Sequence, residues 1–155
     1  MTHRPHFAAF LLLLLVGSPA ASEEHVVQAI AKRGFESMLF DPDFLRMAPG
    51  DTVTFQVDDL DHQPQSAFVP PGARPWRAQK GKSITVTLRA PGVYVFDCAY
   101  HNVMGMAGVI VVGEASNVAE AREFFTRYRD ETVFIDKERL DHIWAPKTGA
   151  LAALP

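Results

Sequence analysis

Polar and apolar residues alternate most regularly over residues 52–57, where Val53, Phe55 and Val57 fall on one side of an extended chain and Thr52, Thr54 and Gln56 on the other. A period of two marks a half-buried strand. The same period recurs over residues 84–89, with Ile84, Val86 and Leu88 set against Thr85, Thr87 and Arg89. Looser runs over residues 25–32, 38–40 and 44–47, and the apolar runs over 93–96 and 108–112, read as further short strands. Asp41-Pro42, Pro49-Gly50-Asp51 and Ala90-Pro91-Gly92 punctuate them as turns. Residues 63–82 contain Pro64, Pro70, Pro71, Gly72, Pro75 and Gly81. Proline has no N–H for a strand ladder, so this stretch is predicted as an irregular excursion with at most an edge strand. Short strands divided by turns predict an antiparallel β-sandwich or barrel rather than alternating βα units.

The pattern changes after Glu114. Residues 115–129 lack Pro and Gly and carry Val118, Ala121, Phe124, Phe125 and Tyr128 at helical spacing, with Ser116 or Asn117 as the expected N-cap. A weaker second helix is expected over residues 134–144, stopped by Pro146. At the other end, His3, Arg4 and His6 precede an apolar run over residues 7–16 and the small residues Ser18 and Ala20. That order is the layout of an export signal, and the run is shorter than the ~20 residues of a membrane-spanning helix. The expected organisation is therefore a leader over 1–20, a β-sandwich over 21–113, a helical extension over 114–147 packed on it, and a loose tail over 148–155. The compartment implied is the periplasm, with no membrane anchor.

Composition narrows the chemistry. Lys and Arg number 15 against 18 Asp and Glu, a formal net charge of −3, which lacks the basic footprint of a nucleic-acid binder. The chain has a single cysteine, Cys98. An intramolecular disulfide is thereby excluded, leaving an inert thiol, a reactive one or a metal ligand.

Cys98 ends an apolar run, His101 follows three residues later and Met106 eight residues later, while His62 lies in Asp61-His62-Gln63 just beyond a predicted strand. A sandwich can bring that strand end to the same rim. Taken singly, a lone cysteine is often a small core residue, and Met104 and Met106 could be core filler. Together, one thiolate, two imidazoles and a weak axial thioether are the donor set of a blue copper site, since thiolate suits Cu(I) and imidazole serves both oxidation states. Zinc would accept the thiolate and imidazoles but seldom recruits methionine. His25 and His142 lack such company and are assigned surface or structural duty.

The span from His25 to Gly113 resembles the cupredoxin family, through Met38-Leu39-Phe40-Asp41-Pro42, Ala48-Pro49-Gly50-Asp51-Thr52-Val53-Thr54-Phe55, Ala90-Pro91-Gly92-Val93-Tyr94 and Met104-Gly105-Met106. The resemblance implies a mainly β, antiparallel or mixed Greek-key sandwich with one or two C-terminal helices. It implies one type 1 copper ion cycling between Cu(I) and Cu(II), held by His62, Cys98 and His101 with Met106 axial, and Met38 beside the exposed ligand histidine. It further implies single-electron shuttling by a monomer, with a copper nitrite reductase or a c-type cytochrome as partner.

Two departures from the family pattern carry expectations. Tyr100 stands where the family has proline, restoring a backbone N–H that is expected to point at the Cys98 sulfur and raise the copper potential. Gln63 stands where the family has asparagine, and is expected to tether the two ligand loops less rigidly. His101 is expected at the surface among Met38, Pro70, Val103 and Met104, a patch for brief docking. Arg74, Arg77, Lys80, Lys82 and Arg89, with no acid between His62 and Ala90, would steer an acidic partner, tempered by Asp97. The alternative function is copper delivery or storage. A catalytic copper enzyme would need an open coordination position, which four protein ligands fill, so no enzymatic activity is expected.

Overall fold

Each alternating or apolar run becomes a strand. The strands are β1 (Glu24–Arg33), β2 (Glu36–Asp41), β3 (Phe44–Met47), β4 (Thr52–Val57), β5 (Pro64–Phe68), β6 (Ile84–Thr87), β7 (Gly92–Cys98) and β8 (Ala107–Val112), followed by helices α1 (Val118–Glu131) and α2 (Lys137–Trp144). The computed structural model describes residues 22–144. The expected leader over 1–20 and tail over 148–155 lie outside the described residues. No helix among the described residues is long and apolar enough to cross a membrane.

Two four-stranded sheets form, in the orders β2-β1-β4-β6 and β3-β8-β7-β5. They are mixed rather than antiparallel throughout, because β1 runs parallel to β4 and β3 parallel to β8. The chain leaves the first sheet after β2, lays β3 into the second and returns as β4, so β4 arrives in the direction of β1. The proline-rich excursion does supply an edge strand: among the named strands β5 pairs with β7, a single bridge joins Gln65 to Arg77 on its other side, and Pro64 stands at its first position, where a missing N–H is tolerated.

Alternation along the strands divides the apolar residues into two cores. Val27, Phe40, Val53, Phe55, Tyr94, Phe96, Cys98, Met106 and Ile110 lie between the sheets, with the rings of Phe40, Phe55 and Phe96 meeting edge to face. Every residue of β7 and β8 is buried. Their opposite face, Val93, Val95, Val109 and Val111, is covered by Ala121, Phe125, Tyr128, Leu140 and Ile143 of the two helices. A strand pair apolar on both faces needs cover on both, and the C-terminal helices provide it. On the face between the sheets, Gly108 leaves room for the Phe96 ring and the Asp43 carbonyl, both of which a Cβ there would overlap.

Asn117 occupies the N-cap position of α1 but does not cap the helix with its side chain. Its amide is used elsewhere: Val93 N donates to Oδ1 at 2.7 Å and Nδ2 donates to Val93 O at 3.1 Å. The β5 pairing with β7 reaches only to Val95, so Asn117 continues the ladder where the strand has ended. A helix whose N-cap side chain is diverted in this way fastens itself to the sheet.

Asp51 is 5% exposed and accepts from Glu23 N at 2.8 Å and Ala48 N at 2.7 Å, with His25 Nε2 at 3.4 Å from Oδ2. His25 thus has the structural duty expected of it. The backbone donors of Glu23 and Ala48, and then His25, hold the Asp51 carboxyl below its ordinary value. A depressed folded-state value stabilises the protein above the ordinary carboxylate range, a contribution lost as pH falls through the folded value.

Two outcomes are expected. Asn117→Ala leaves the backbone of Val93 unpaired and costs about 1–3 kcal/mol, read as a lower urea midpoint with unchanged slope. Asp51→Asn lowers the melting temperature at neutral pH and flattens its fall below about pH 4, read by thermal unfolding across an acid series.

Candidate metal centre

β7 lies inside the second sheet, and its last residue, Cys98, faces the other sheet with its thiol fully buried. The chain then turns sharply. His101 N donates to Cys98 O at 3.1 Å, a short 3-10 turn spans Asn102–Met104, and Gly105 closes it in the left-handed conformation (φ 73°). Met106 N returns to His101 O at 3.3 Å and Cys98 N donates to Met106 O at 3.0 Å. Cys98 and Met106 are thereby stitched together as the loop's two ends, with His101 between them.

His62 arrives from the β4–β5 connection. Pro64 pairs with Cys98 in the antiparallel ladder, Ala99 N donates to Gln63 O at 3.0 Å, and Gly81 N donates to His62 O at 2.8 Å. The ladder therefore delivers the upstream histidine to the cysteine, and the excursion holds it from behind.

Nδ1 of His62, Sγ of Cys98 and Nδ1 of His101 form a triangle with sides of 3.8, 3.5 and 3.3 Å. A circle through the three atoms has a radius of about 2 Å, the bond length from imidazole nitrogen to a first-row metal ion. Lone pairs of two imidazoles and a sulfur facing one another at this range repel unless a cation or a shared proton lies among them. The residues therefore fit a metal ion, and a thiolate with two imidazoles selects copper or zinc. Met106 is fully buried in the same cluster as Cys98.

The electrostatic setting keeps these donors available. His62 is wholly buried. Burial pulls its imidazole below the ordinary histidine value, opposed by the Asp59 carboxylate. Asp59 Oδ2 stands 3.2 Å from Nε2, off the line of a hydrogen bond, so it acts as a neighbouring charge on the ring's outer side. Gln63 N donates to Cys98 Sγ at 3.4 Å, placing a dipole where negative charge on sulfur needs one.

That bond corrects two expectations. The N–H aimed at the sulfur belongs to Gln63 and not to Tyr100, whose ring is 52% exposed with Lys80 Nζ 4.7 Å from its centroid. Among the described residues no hydrogen bond runs from Tyr100 N to the sulfur. Nor does Gln63 fail to tether the loops: its backbone bonds both Cys98 and Ala99, while its side chain turns to Ala78 O and Arg77. The tether is main chain and indifferent to the length of the side chain.

Asp97 and Pro70 also lie elsewhere than expected. Asp97 does not temper the surface charge, since alternation along β7 turns it away from Cys98 and under α1, where it is 2% exposed. Tyr128 Oη donates to Asp97 Oδ2 at 2.9 Å. Burial pushes the Asp97 carboxyl up, partly offset by the Gln65 side chain and then by Tyr128, and burial pushes the Tyr128 hydroxyl up. A carboxylate closing an otherwise apolar strand was the visible sign of this pair. Pro70 is buried against Gly92, at the end of β7 opposite Cys98, and forms no part of the rim around His101.

Two mixed sheets enclosing a one-thiolate, two-imidazole site at the end of the sandwich define a cupredoxin copper centre. Residues 27–113 match the family of copper binding proteins of the plastocyanin/azurin type, and the chain belongs to that family. Its relatives include the pseudoazurin of Paracoccus pantotrophus, 32% identical over 78% of this chain and 85% of that protein. The pseudoazurin of Methylorubrum extorquens is 30% identical over 94% of this chain and 97% of its own. Among solved structures, the native pseudoazurin from Hyphomicrobium denitrificans superposes with a TM-score of 0.69 at 30% identity, covering 79% of this chain and 96% of that one. The pseudoazurin from Methylobacterium extorquens AM1 gives 0.66 at 29% identity, covering 79% and 98%. The chain is accordingly a blue copper protein that carries electrons.

Removing the hydroxyl that serves Asp97 leaves a buried carboxylate short of its donor. Tyr128→Phe is expected to cost about 1–3 kcal/mol, measured by denaturant unfolding of the copper-free protein, with the unfolding slope unchanged.

Proposed function

We propose that His62, Cys98 and His101 hold a single copper ion, with Met106 as a weak fourth donor, and that the protein carries single electrons between exported redox proteins in the periplasm. The observation that carries this reading is the donor triangle. Copper, when bound, supplies one-electron exchange between Cu(I) and Cu(II). The chain contributes rigidity: both ligand loops are bonded to each other through Gln63 and stitched to the ends of β7 and β8. Such bonding favours one geometry for both oxidation states, which rapid transfer requires. It also disfavours the loose, exchangeable site that copper delivery or storage would use. With four protein donors around one ion, no coordination position is left for a substrate, so the reading is a carrier rather than an enzyme.

The surface supports docking at the ligand end. Among the described residues the exposed large apolar side chains are Val26, Phe35, Leu60, Tyr100, Val103, Phe134 and Ile135. Leu60 is two residues from His62, Tyr100 and Val103 belong to the ligand loop, and Phe134 N and Ile135 N donate to Val103 O. His101 itself is partly exposed. An apolar rim around a partly exposed ligand suits a brief encounter with a redox partner, in keeping with a monomer that meets a copper nitrite reductase or a c-type cytochrome. The basic residues divide. Lys80 over Tyr100 and Arg77 on Gln63 lie near the ligand loops, whereas Arg74 and Arg89 line one cavity with Tyr94, away from them. Steering of an acidic partner is assigned to Arg77 and Lys80. A leader over 1–20, a sandwich over 21–113, a helical extension over 114–147 and a tail over 148–155 complete the proposed organisation.

The purified protein loaded with Cu(II) is expected to show an intense visible absorption that bleaches on reduction and returns on oxidation, with the narrow hyperfine splitting of a thiolate-bound ion. Cys98→Ala is expected to abolish both signals. A colourless, readily removed Cu(I) form would overturn the carrier reading in favour of delivery. Charge reversal of Arg77 and Lys80 is expected to weaken the salt dependence of electron exchange with an acidic partner, followed by stopped-flow mixing over a range of ionic strength.

A further inference from the structure

Among the described residues two that are not glycine adopt the left-handed backbone conformation, Met38 (φ 50°) and Asp136 (φ 56°). One side chain grips both. Arg139, in the first turns of α2, donates from Nη1 to Met38 O at 2.7 Å and from Nη2 to Ser37 O at 3.2 Å, and Nη2 stands 2.7 Å from Asp136 Oδ2. The left-handed region is disfavoured for such residues because Cβ crowds the carbonyl oxygen, and it persists only where the surroundings over-determine it. The ladder does not do this for Met38: the paired positions of β1 and β2, Ile30 with Leu39 and Lys32 with Ser37, pass over it. The guanidinium does.

Both gripped residues adjoin the ligand loop and the cluster it closes. Met38 packs against the buried cluster that contains Cys98 and Met106. Phe134 N and Ile135 N, just before Asp136, donate to Val103 O at 2.9 and 3.1 Å. A Cβ on Gly105 would meet Asp136 O at 3.0 Å, so the α1–α2 connection lies directly on the returning strand of the loop. Ser37, Met104, Asp136 and Arg139 line one cleft.

We propose that Arg139 is a positioning residue for the metal centre: by fastening the left-handed Met38 of β2 to the start of α2, it confines the loop that carries His101 and Met106. This rests on the ligand assignment above. Arg139 acts through Met38 and Asp136. Its planar fork serves two carbonyl oxygens and a carboxylate at once, which the single ammonium of lysine does not reproduce.

The test uses the full protein, copper-loaded and copper-free, with Arg139→Gln and Arg139→Lys. Arg139→Gln is expected to lower copper affinity about tenfold, the lower end of what losing an outer partner of a metal site causes, measured by competition with a chelator. Visible band positions and hyperfine coupling should shift with it, and Arg139→Lys should recover part of the loss. In the copper-free protein, amide resonances of Met38, Val103 and Gly105 are expected to move and to exchange faster. A third variant isolates the strain: Met38→Gly accepts φ 50° without a Cβ, so Arg139→Gln should cost less in that background. Unchanged spectra and affinity, unmoved Met38 and Val103 resonances, or equal losses in both backgrounds would each overturn the proposal. If the unaltered protein takes up no blue copper, the ligand assignment fails by itself, while the copper-free resonances still decide the role of Arg139.

Discussion

Two imidazole nitrogens and a thiol sulfur held within 3.8 Å of one another make an arrangement that the backbone must enforce, because the lone pairs alone would drive it apart. Much of the surrounding structure is that enforcement. The Pro64–Cys98 pairing sets the height of His62 against the end of β7. The bonds from Gln63 N to the sulfur and from Ala99 N to Gln63 O join the two loops by main chain. The bond from Cys98 N to Met106 O closes the second loop on itself. Donors fixed by main-chain bonds in this way are held to one geometry, which suits a centre that changes oxidation state.

The same strand that delivers Cys98 inward delivers Asp97 outward. Alternation along β7 puts sulfur in the sandwich and carboxylate under α1, where Tyr128 meets it. The helices are thus tied to the site's own strand by a polar pair, to the start of that strand by Asn117, and to the ligand loop by Phe134 and Ile135. The helical extension that covers the second apolar face of β7 and β8 is also the outer wall of the metal centre.

How much of this was legible follows from distance along the chain. The strands were readable because a period of two is a local signal, and the helices because a period near 3.6 is another. Cys98, His101 and Met106 were readable because one tight loop joins them. His62 was a candidate only because a strand ended beside it. The roles of Tyr100, Gln63, Asp97 and Pro70 were not readable, since each depends on which way a backbone or side chain turns when two distant segments meet. Asn117 shows the limit well: its sequence position is that of an N-cap, yet the end of β5 leaves Val93 unpaired nearby and takes the amide for the sheet.

Residue order alone settled the element types, the turns, the donor atoms available to a metal and the compactness of the loop that holds three of them, because each depends on neighbours a few positions apart. The tertiary structure decided that the sheets are mixed, that His62 reaches Cys98 across 36 positions, and that Arg139 reaches Met38 across 101. It also decided which side of β7 faces copper chemistry and which faces the helices. Those outcomes are set by strand pairing and by the burial of two apolar faces at once, forces that act only when the whole chain has folded.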